Sequence, residues 1–307
     1  MNQKLLIDTD PGVDDALALL MAYRHSRVEA LSIAAGNVGL AHTVANALKL
    51  TELVGADTPV HPGCPVPLVL PAEDAAYVHG MDGFGDAGIA AARRAASDEH
   101  AALAIVRLAR AHPGELTLVA LGPLTNLALA LRLDPELPSR IARLVVMGGA
   151  VTGRGNTSVS AEFNVGFDPE AAHVVFSSWP MFELVDWEAT VRHALDFDAA
   201  ERWFACGDPR ATFYDAISRK TRAFNKERER LGLVAADALA MAVVVDPAIV
   251  VRAEERHVAV ELDGTLTRGA TIVDWERRGG KAPNARIVLE VDHARFAALV
   301  ASALGAA

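Results

Sequence analysis

Four aspartates fall within eight positions near the start of the chain, in Leu5-Leu6-Ile7-Asp8-Thr9-Asp10-Pro11-Gly12-Val13-Asp14-Asp15-Ala16-Leu17. A short apolar run leads into them, and a Pro-Gly turn sits among them. Carboxylates this close repel, and without a cation one or more would be driven to protonate. A bound divalent ion relieves the repulsion, and an all-oxygen donor set selects a hard ion, Ca²⁺ or Mg²⁺. Water on such an ion, beside a carboxylate base, becomes a nucleophile at neutral pH. Helix capping is the competing account, with Asp10 as N-cap, Pro11 at the first helical position, and Asp14 and Asp15 at the positive helix end. It explains two of the acids but not four at the mouth of a strand.

Other polar segments also follow apolar runs. Gly36-Asn37-Val38-Gly39 comes after one of them, and by itself a Gly-Asn there is a turn. Gly122-Pro123-Leu124-Thr125-Asn126 comes after another, where the Leu121 main-chain carbonyl is available to a cation. Gly148-Gly149 opens a longer loop that runs through Asn156 to Glu162 and Asn164. Those amides and that carboxylate supply the donors and acceptors that a polyhydroxylated ligand needs. His79 stands in the glycine-rich His79-Gly80-Met81-Asp82-Gly83-Phe84-Gly85, where a packing role is the plain alternative. Asp237, in Ala236-Asp237-Ala238, opens an apolar helix, where an N-terminal acid needs no further reason.

The elements that must position these residues can be read from the apolar pattern. Strand-length runs at Lys4–Asp8, Val28–Ala35, Leu116–Leu121, Leu144–Met147 and Met181–Val185 alternate with helical stretches. The helices are expected at Asp14–Tyr23, Glu99–Ala111, Leu124–Leu133, Pro169–Ser177 and Asp198–Phe204. The strands show no in/out alternation, so both faces are covered, as in a parallel sheet flanked by helices. The chain therefore reads as α/β, a single domain over residues 1–307 with an open, doubly wound, mainly parallel sheet. Ligands of such sheets bind beyond the carboxyl ends of the strands, which directs attention to the strand-to-helix loops. Pro59–Pro71 reads as a surface connection. Ser218–Arg230, dense in Lys, Arg and Glu, reads as a solvated helix face or as a lid beside the site. Strands return between Val258 and Val291, and Ala294–Ala303 closes as a helix.

Composition narrows the class further. The 307 residues are 51% apolar and 22% charged, with a formal charge of −10. That balance argues against a nucleic-acid partner, which needs a concentrated basic face, and against docking on anionic membrane. Charged residues interrupt every apolar run before it reaches membrane-spanning length. Cys64 and Cys206 are too few for a disulfide scaffold and have no metal-ligand spacing. The first ten residues read as a strand and not as a signal peptide, so the expected compartment is the cytoplasm.

Together these segments resemble the inosine-uridine preferring nucleoside hydrolase family, in order and over nearly the whole chain. Asp8-Thr9-Asp10-Pro11-Gly12-Val13-Asp14-Asp15-Ala16 is similar to that family's amino-terminal motif and is the most specific marker. Gly36–Gly39, Gly122–Asn126, Met147–Gly149, Ala161–Asn164 and Asp168–Ala172 are similar to further family segments. The resemblance implies a nucleoside hydrolase-like fold and hydrolysis of the N-glycosidic bond of a small-molecule ribonucleoside. It implies a Ca²⁺ held by Asp10, Asp15, the Leu121 carbonyl and Asp237, with Asp10 as general base on a calcium-bound water. It assigns Asp14, Asn37, Asn156, Glu162, Asn164 and Asp237 to the ribose hydroxyls, and His79 to the neighbourhood of the ligand. Dimers and tetramers are common among similar proteins, so a homodimer or homotetramer is implied as well.

The match departs from the family pattern at one end. Well-known members carry a histidine just before the distal calcium aspartate, as general acid toward the departing base; here that position is Ala236. Aromatic residues usual in the preceding segment give way to Arg222-Ala223-Phe224-Asn225-Lys226-Glu227-Arg228-Glu229-Arg230. Val185-Asp186-Trp187-Glu188-Ala189-Thr190 also departs, and Trp187 is expected to pack rather than to stack on a base. The sugar half of the site is intact while the base half is rewritten, so an altered base specificity is expected. A calcium-dependent ribose- or nucleoside-binding protein with little turnover is the alternative, favoured by Ala236 and opposed by Asp10. A haloacid-dehalogenase-like phosphatase would use Asp8-x-Asp10, but Gly12 and the Asp14-Asp15 pair do not suit it.

Overall fold

The computed structural model describes residues 3–306. In chain order these form β1 (Lys4–Thr9), α1 (Val13–His25), β2 (Arg27–Ile33), α2 (Leu40–Leu53), β3 (Val60–Pro62), α3 (Ala76–His79), α4 (Ala101–Ala111) and β4 (Leu116–Ala120). They continue as α5 (Thr125–Leu133), α6 (Leu137–Arg140), β5 (Arg143–Met147), α7 (Phe163–Phe167), α8 (Pro169–Ser178), β6 (Phe182–Val185) and α9 (Trp187–Arg192). The last part holds α10 (Phe197–Phe204), α11 (Pro209–Glu227), α12 (Ala236–Val245), β7 (Val250–Arg256), β8 (Val258–Val260), β9 (Thr271–Val273), β10 (Ala285–Val291) and α13 (His293–Ala303).

Eight strands make one sheet in the order β3-β2-β1-β4-β5-β6-β10-β7. Neighbouring strands run parallel except β10 and β7, which are antiparallel. β8 and β9 pair separately and antiparallel. The chain moves outward from β1 through β2 and β3, then returns to place β4 on the other side of β1. Crossovers therefore leave β1 and β4 in opposite directions, and a crevice opens beyond their carboxyl ends. Asp10 follows the end of β1, and Leu121 follows the end of β4.

Alternation along β1 builds the two layers that hold this crevice open. Leu5 and Ile7 enter a core shared with α1, α12 and α13, while Leu6 enters the opposite core with α4, α5 and α8. Helix α12 is apolar on every side and buried from Ala236 to Val244, as a helix inside the protein must be. Its one charged residue, Asp237, sits in the first turn and faces the crevice.

Some local expectations need correction. Helix α1 begins at Val13 with Gly12 as N-cap, so the capping account that put Asp10 there does not hold. Asp10 is engaged elsewhere, accepting the Asn37 backbone N–H at 2.7 Å, and Asp15 instead reaches back to the Gly12 N–H at 2.9 Å. The proline-rich connection contains β3, a three-residue edge strand, where prolines at or beside the ends disturb little of the ladder. Helix α2 follows the Gly36-Asn37 loop and buries Ala47 and Leu50 against the sheet.

Candidate active site

At the floor of the crevice, one carboxylate oxygen from each of Asp14, Asp15 and Asp237 lies within 4.8 Å of the others. The geometry follows from two helix starts meeting: the first turn of α1 supplies Asp14 and Asp15, and the first turn of α12 supplies Asp237. Asp15 is fully buried and already accepts from the Thr9 hydroxyl, the Gly12 N–H and the Asn37 side-chain amide. Asp10 lies beside the three, 1% exposed, with Oδ2 on the Asn37 N–H. Its carboxylate is clasped between Gly36 and Gly122, where a Cβ at either position would collide with an Asp10 oxygen. Glycine is needed at both loops because the carboxylate approaches the backbone so closely.

The electrostatics of this floor are unfavourable as they stand. Burial holds the Asp10 carboxyl well above the usual carboxylate range, and the charge of Asp15 adds to the rise. Burial does the same to Asp237, reinforced by Asp14, Asp15 and Asp10. Asp14 is pushed up to about 6 by burial, although nearby backbone N–H groups hold the rise back. Its Oδ1 is sequestered without a hydrogen-bond partner among the described residues. An unpartnered buried carboxylate oxygen among like charges is what a hard cation relieves. The donor set is all oxygen and fits a divalent ion of that kind.

The wall above the floor is polar, and its hydrogen bonds leave defined groups free. Glu162 is the N-cap of α7 and accepts on Oε2 from the N–H groups of Gly149, Asn164 and Val165 at 2.9, 3.0 and 3.3 Å. Burial raises its carboxyl to about 7 against those bonds. Asn164 donates to the carbonyls of Leu121 and Met147 at 2.7 and 3.2 Å, which leaves its own Oδ1 to accept. Asn156 is the reverse case: its Oδ1 takes the Phe163 N–H at 2.8 Å, leaving the NH₂ to donate. His79 accepts the Val13 N–H on Nδ1 at 3.1 Å, and burial lowers its pKa to about 4. The ring is therefore neutral near pH 7, with its proton on Nε2.

Asp14, Asn37, His79, Leu121, Asn156, Glu162, Asn164 and Asp237 all line a single cavity of about 200 Å³. Asp10 and Asp15 lie beneath its surface. The outer lining is made by Tyr77, Trp187, Thr221, Phe224, Asn225, Arg228 and Arg230; the lid alternative for Ser218–Arg230 reached most of it, whereas Tyr77 was not singled out. Trp187, expected to pack, instead forms part of the wall with the Arg230 guanidinium 5.5 Å from its ring centroid. Phe224 meets Tyr77 edge to face at 6.0 Å and carries Arg228 over its ring at 4.4 Å. The charged run is thus a helix, as expected, and its end also forms the cavity rim. Thr221 ties α11 to the His79 segment by donating to the Val78 carbonyl at 3.2 Å.

A second polar group lies under the site, and it takes Asp8, which was grouped with the other aspartates in the sequence, away from them. Asp8 stands opposite Ser32 and Ala120 in the sheet and turns away from the other aspartates. Its Oδ1 accepts from the Ser32 hydroxyl at 2.5 Å and the Asn126 amide at 2.9 Å. Asn126 in turn accepts the Cys64 N–H at 2.8 Å, linking β1, β2, α5 and the loop after β3.

A family model described as inosine-uridine preferring nucleoside hydrolase matches residues 5–298. The chain is 35% identical to an inosine-uridine preferring nucleoside hydrolase of Leishmania major, over 99% of this chain and 98% of that one. It is 36% identical to the non-specific ribonucleoside hydrolase RihC of Salmonella enteritidis, over 94% and 93% of the two chains. The solved structure of an inosine-guanosine nucleoside hydrolase superposes with a TM-score of 0.93 at 34% identity, covering 99% of both chains.

Proposed function

The chain belongs to the inosine-uridine preferring nucleoside hydrolase family, and from that premise we propose how its residues divide the work of hydrolysing a ribonucleoside to ribose and free base. The observation that carries the reading is the approach of Asp14, Asp15 and Asp237 at the floor of a cavity walled by Asn156, Glu162 and Asn164. Asp15 and Asp237 would hold a divalent ion, proposed to be Ca²⁺, with Asp10 and the Leu121 carbonyl completing the set that the resemblance implies; Asp14, whose carboxylate reaches the same cluster, would share its charge while facing the ribose. When bound, the ion would neutralise the carboxylates and acidify the attacking water.

The groups left free along the wall suit a ribose. Glu162 Oε1, Asn164 Oδ1 and Asn37 Oδ1 accept from hydroxyls, while the Asn156 amide and the His79 Nε2–H donate. Asp14 and Asp237 take the hydroxyls nearest the floor. As the C1′–N bond breaks, its electron pair leaves with the base and positive charge develops on the ribosyl ring. The carboxylates of Asp14 and Glu162 stabilise that charge, and hydroxyl contacts hold the ring in a reactive pucker, so binding energy from the sugar lowers the barrier. Water adds to C1′ and gives its proton to Asp10. Clasped between Gly36 and Gly122, Asp10 has no room to turn away from that task.

The base end is different. Ala236 offers no proton to the leaving group, and aromatic rings with two arginines surround the space where the base would lie. This supports a base preference unlike that of relatives with a histidine at that position. The test is ribose release from a panel of ribonucleosides covering purines and pyrimidines. Release from several members at rates differing by base supports the proposal; turnover of inosine and uridine at equal rates, unaltered by Ala236→His, would contradict the altered specificity.

A further inference from the structure

Two guanidinium groups at the cavity mouth have aromatic platforms but no counter-ion. Arg228 lies over Phe224 and Arg230 over Trp187, and both line the cavity. Among the described residues neither makes an ion pair or a side-chain hydrogen bond. Arg222, six residues before Arg228 and within α11, shows the contrast, since it pairs with Asp215 at 2.5 Å. Other arginines of the chain also lack an ion pair; what sets these two apart is that both line the cavity. Stacking on a ring face also fixes the plane of a guanidinium and leaves its N–H edge to donate.

We infer that the mouth receives leaving bases that depart as anions, with Arg228 and Arg230 as their charge partners in place of a proton donor. The inference rests on the hydrolase reading above and specifies its substrate class. The residue beside Asp237 is Ala236, and the imidazole that lines the cavity, His79, lies 3.9 Å from Asp14 with Nδ1 already taken by the Val13 N–H. Without a general acid at the mouth, the electron pair of the broken C1′–N bond stays on the base and spreads to its exocyclic oxygens. Those oxygens accept charge-assisted hydrogen bonds from the guanidinium groups, about twice as strong as neutral ones. Water's oxygen bonds to C1′ and its proton passes to Asp10. The base anion then takes a proton from solvent as Asp10 releases one, so ribose and neutral base are the products. The favoured substrates are ribosides of oxygen-rich, acidic bases. Amino-substituted bases, which leave well only when protonated, are disfavoured.

The experiment compares kcat/KM for xanthosine, adenosine, 4-nitrophenyl β-D-ribofuranoside and inosine 5′-monophosphate, using the intact protein with calcium and its Arg228→Gln and Arg230→Gln variants. Xanthosine should exceed adenosine by about 10²-fold or more, on the scale of losing one oxyanion-type donor. Each glutamine should lower the xanthosine value by roughly 10²-fold relative to that for the nitrophenyl riboside, whose phenolate leaves with little help. The loss should fall mainly in kcat. Equal losses for all substrates would show a structural role and overturn the inference, as would a preference for adenosine. Preference for the monophosphate, lost in the variants, would assign the arginines to a 5′-phosphate and overturn it too. If the wild-type protein released nothing from the nitrophenyl riboside, the hydrolase reading itself would fall. Release there without a xanthosine preference would overturn only the inference about the base.

Discussion

At the floor of the cavity the side chains come from strand ends and helix first turns; at its mouth they come from the end of α11 and the irregular stretch that follows it. The floor residues are buried and over-determined. Asp15 accepts four hydrogen bonds, Glu162 in the wall just above accepts three, and Asp10 is fixed by Asn37 between two glycines. The mouth is held by ring faces and by a few bonds such as Thr221 to Val78, and it ends in Leu231, which is 96% exposed. A change at the floor disturbs a network with no slack, whereas a change at the mouth alters what is recognised and little else. That difference explains how one chain can keep the sugar chemistry of its family while carrying Ala236 and two arginines at the base end.

The sharpest test of this division uses the substrate. A floor built to bind ribose hydroxyls should reject 2′-deoxyribonucleosides by about 10⁴-fold in kcat/KM, because buried acceptors would lose their partners. A ratio below about tenfold in steady-state assays would mean that the floor does not read the sugar in this way. Asp10→Asn should come next, lowering kcat by roughly 10²- to 10⁴-fold for every leaving group alike. Losses confined to poor leaving groups would instead place Asp10 in the chemistry of the base.

The mouth should respond selectively. Ala236→His restores a proton donor beside Asp237, and turnover of adenosine should rise by up to about 10²-fold while xanthosine changes far less. Parallel changes for both would erase the distinction drawn between the two ends. The smallest effect concerns support for the mouth. Asp208 caps α11, accepting from the Arg210 N–H at 2.8 Å and from its guanidinium, which holds the carboxyl down at about 2 from an ordinary 3.8. A lowered folded-state pKa stabilises the fold above the unfolded value, and the contribution fades as pH falls from about 4 toward 2. Asp208→Ala should therefore cost about 1 kcal/mol in urea unfolding at pH 7. The gap should narrow at pH 3, and a gap that widened there would have the wrong sign.

The same division marks what the sequence made legible. Strands such as Leu116–Ala120 were readable because a parallel sheet demands unbroken apolar runs, and the aspartates because four acids after a strand exceed what capping needs. Asp8 was grouped with the others, yet it turns toward Ser32 and Asn126, a distinction that depends on register and not on composition. The mouth was hardest to read. Phe224 and Arg228 sit four apart at the end of a helix whose charge pattern suits plain solvent exposure, and only the fold brings them opposite Tyr77 and Trp187. Trp187 was expected to pack rather than to stack on a base, and its neighbours Asp186 and Glu188 do not announce that a cavity opens beside it.

At the centre stands the proposal that the carboxylates at the cavity floor, with a bound cation, act on the ribosyl group whichever group leaves, while the mouth sets the rate for each base. The direct measurement is ribose release from 4-nitrophenyl β-D-ribofuranoside by the purified protein, before and after a calcium chelator and then with Ca²⁺ restored. Release that stops with the chelator and returns with Ca²⁺ is the expected result. Release that continues undiminished after the metal has been removed would contradict the claim, and so would its absence in a protein that still binds calcium and ribose.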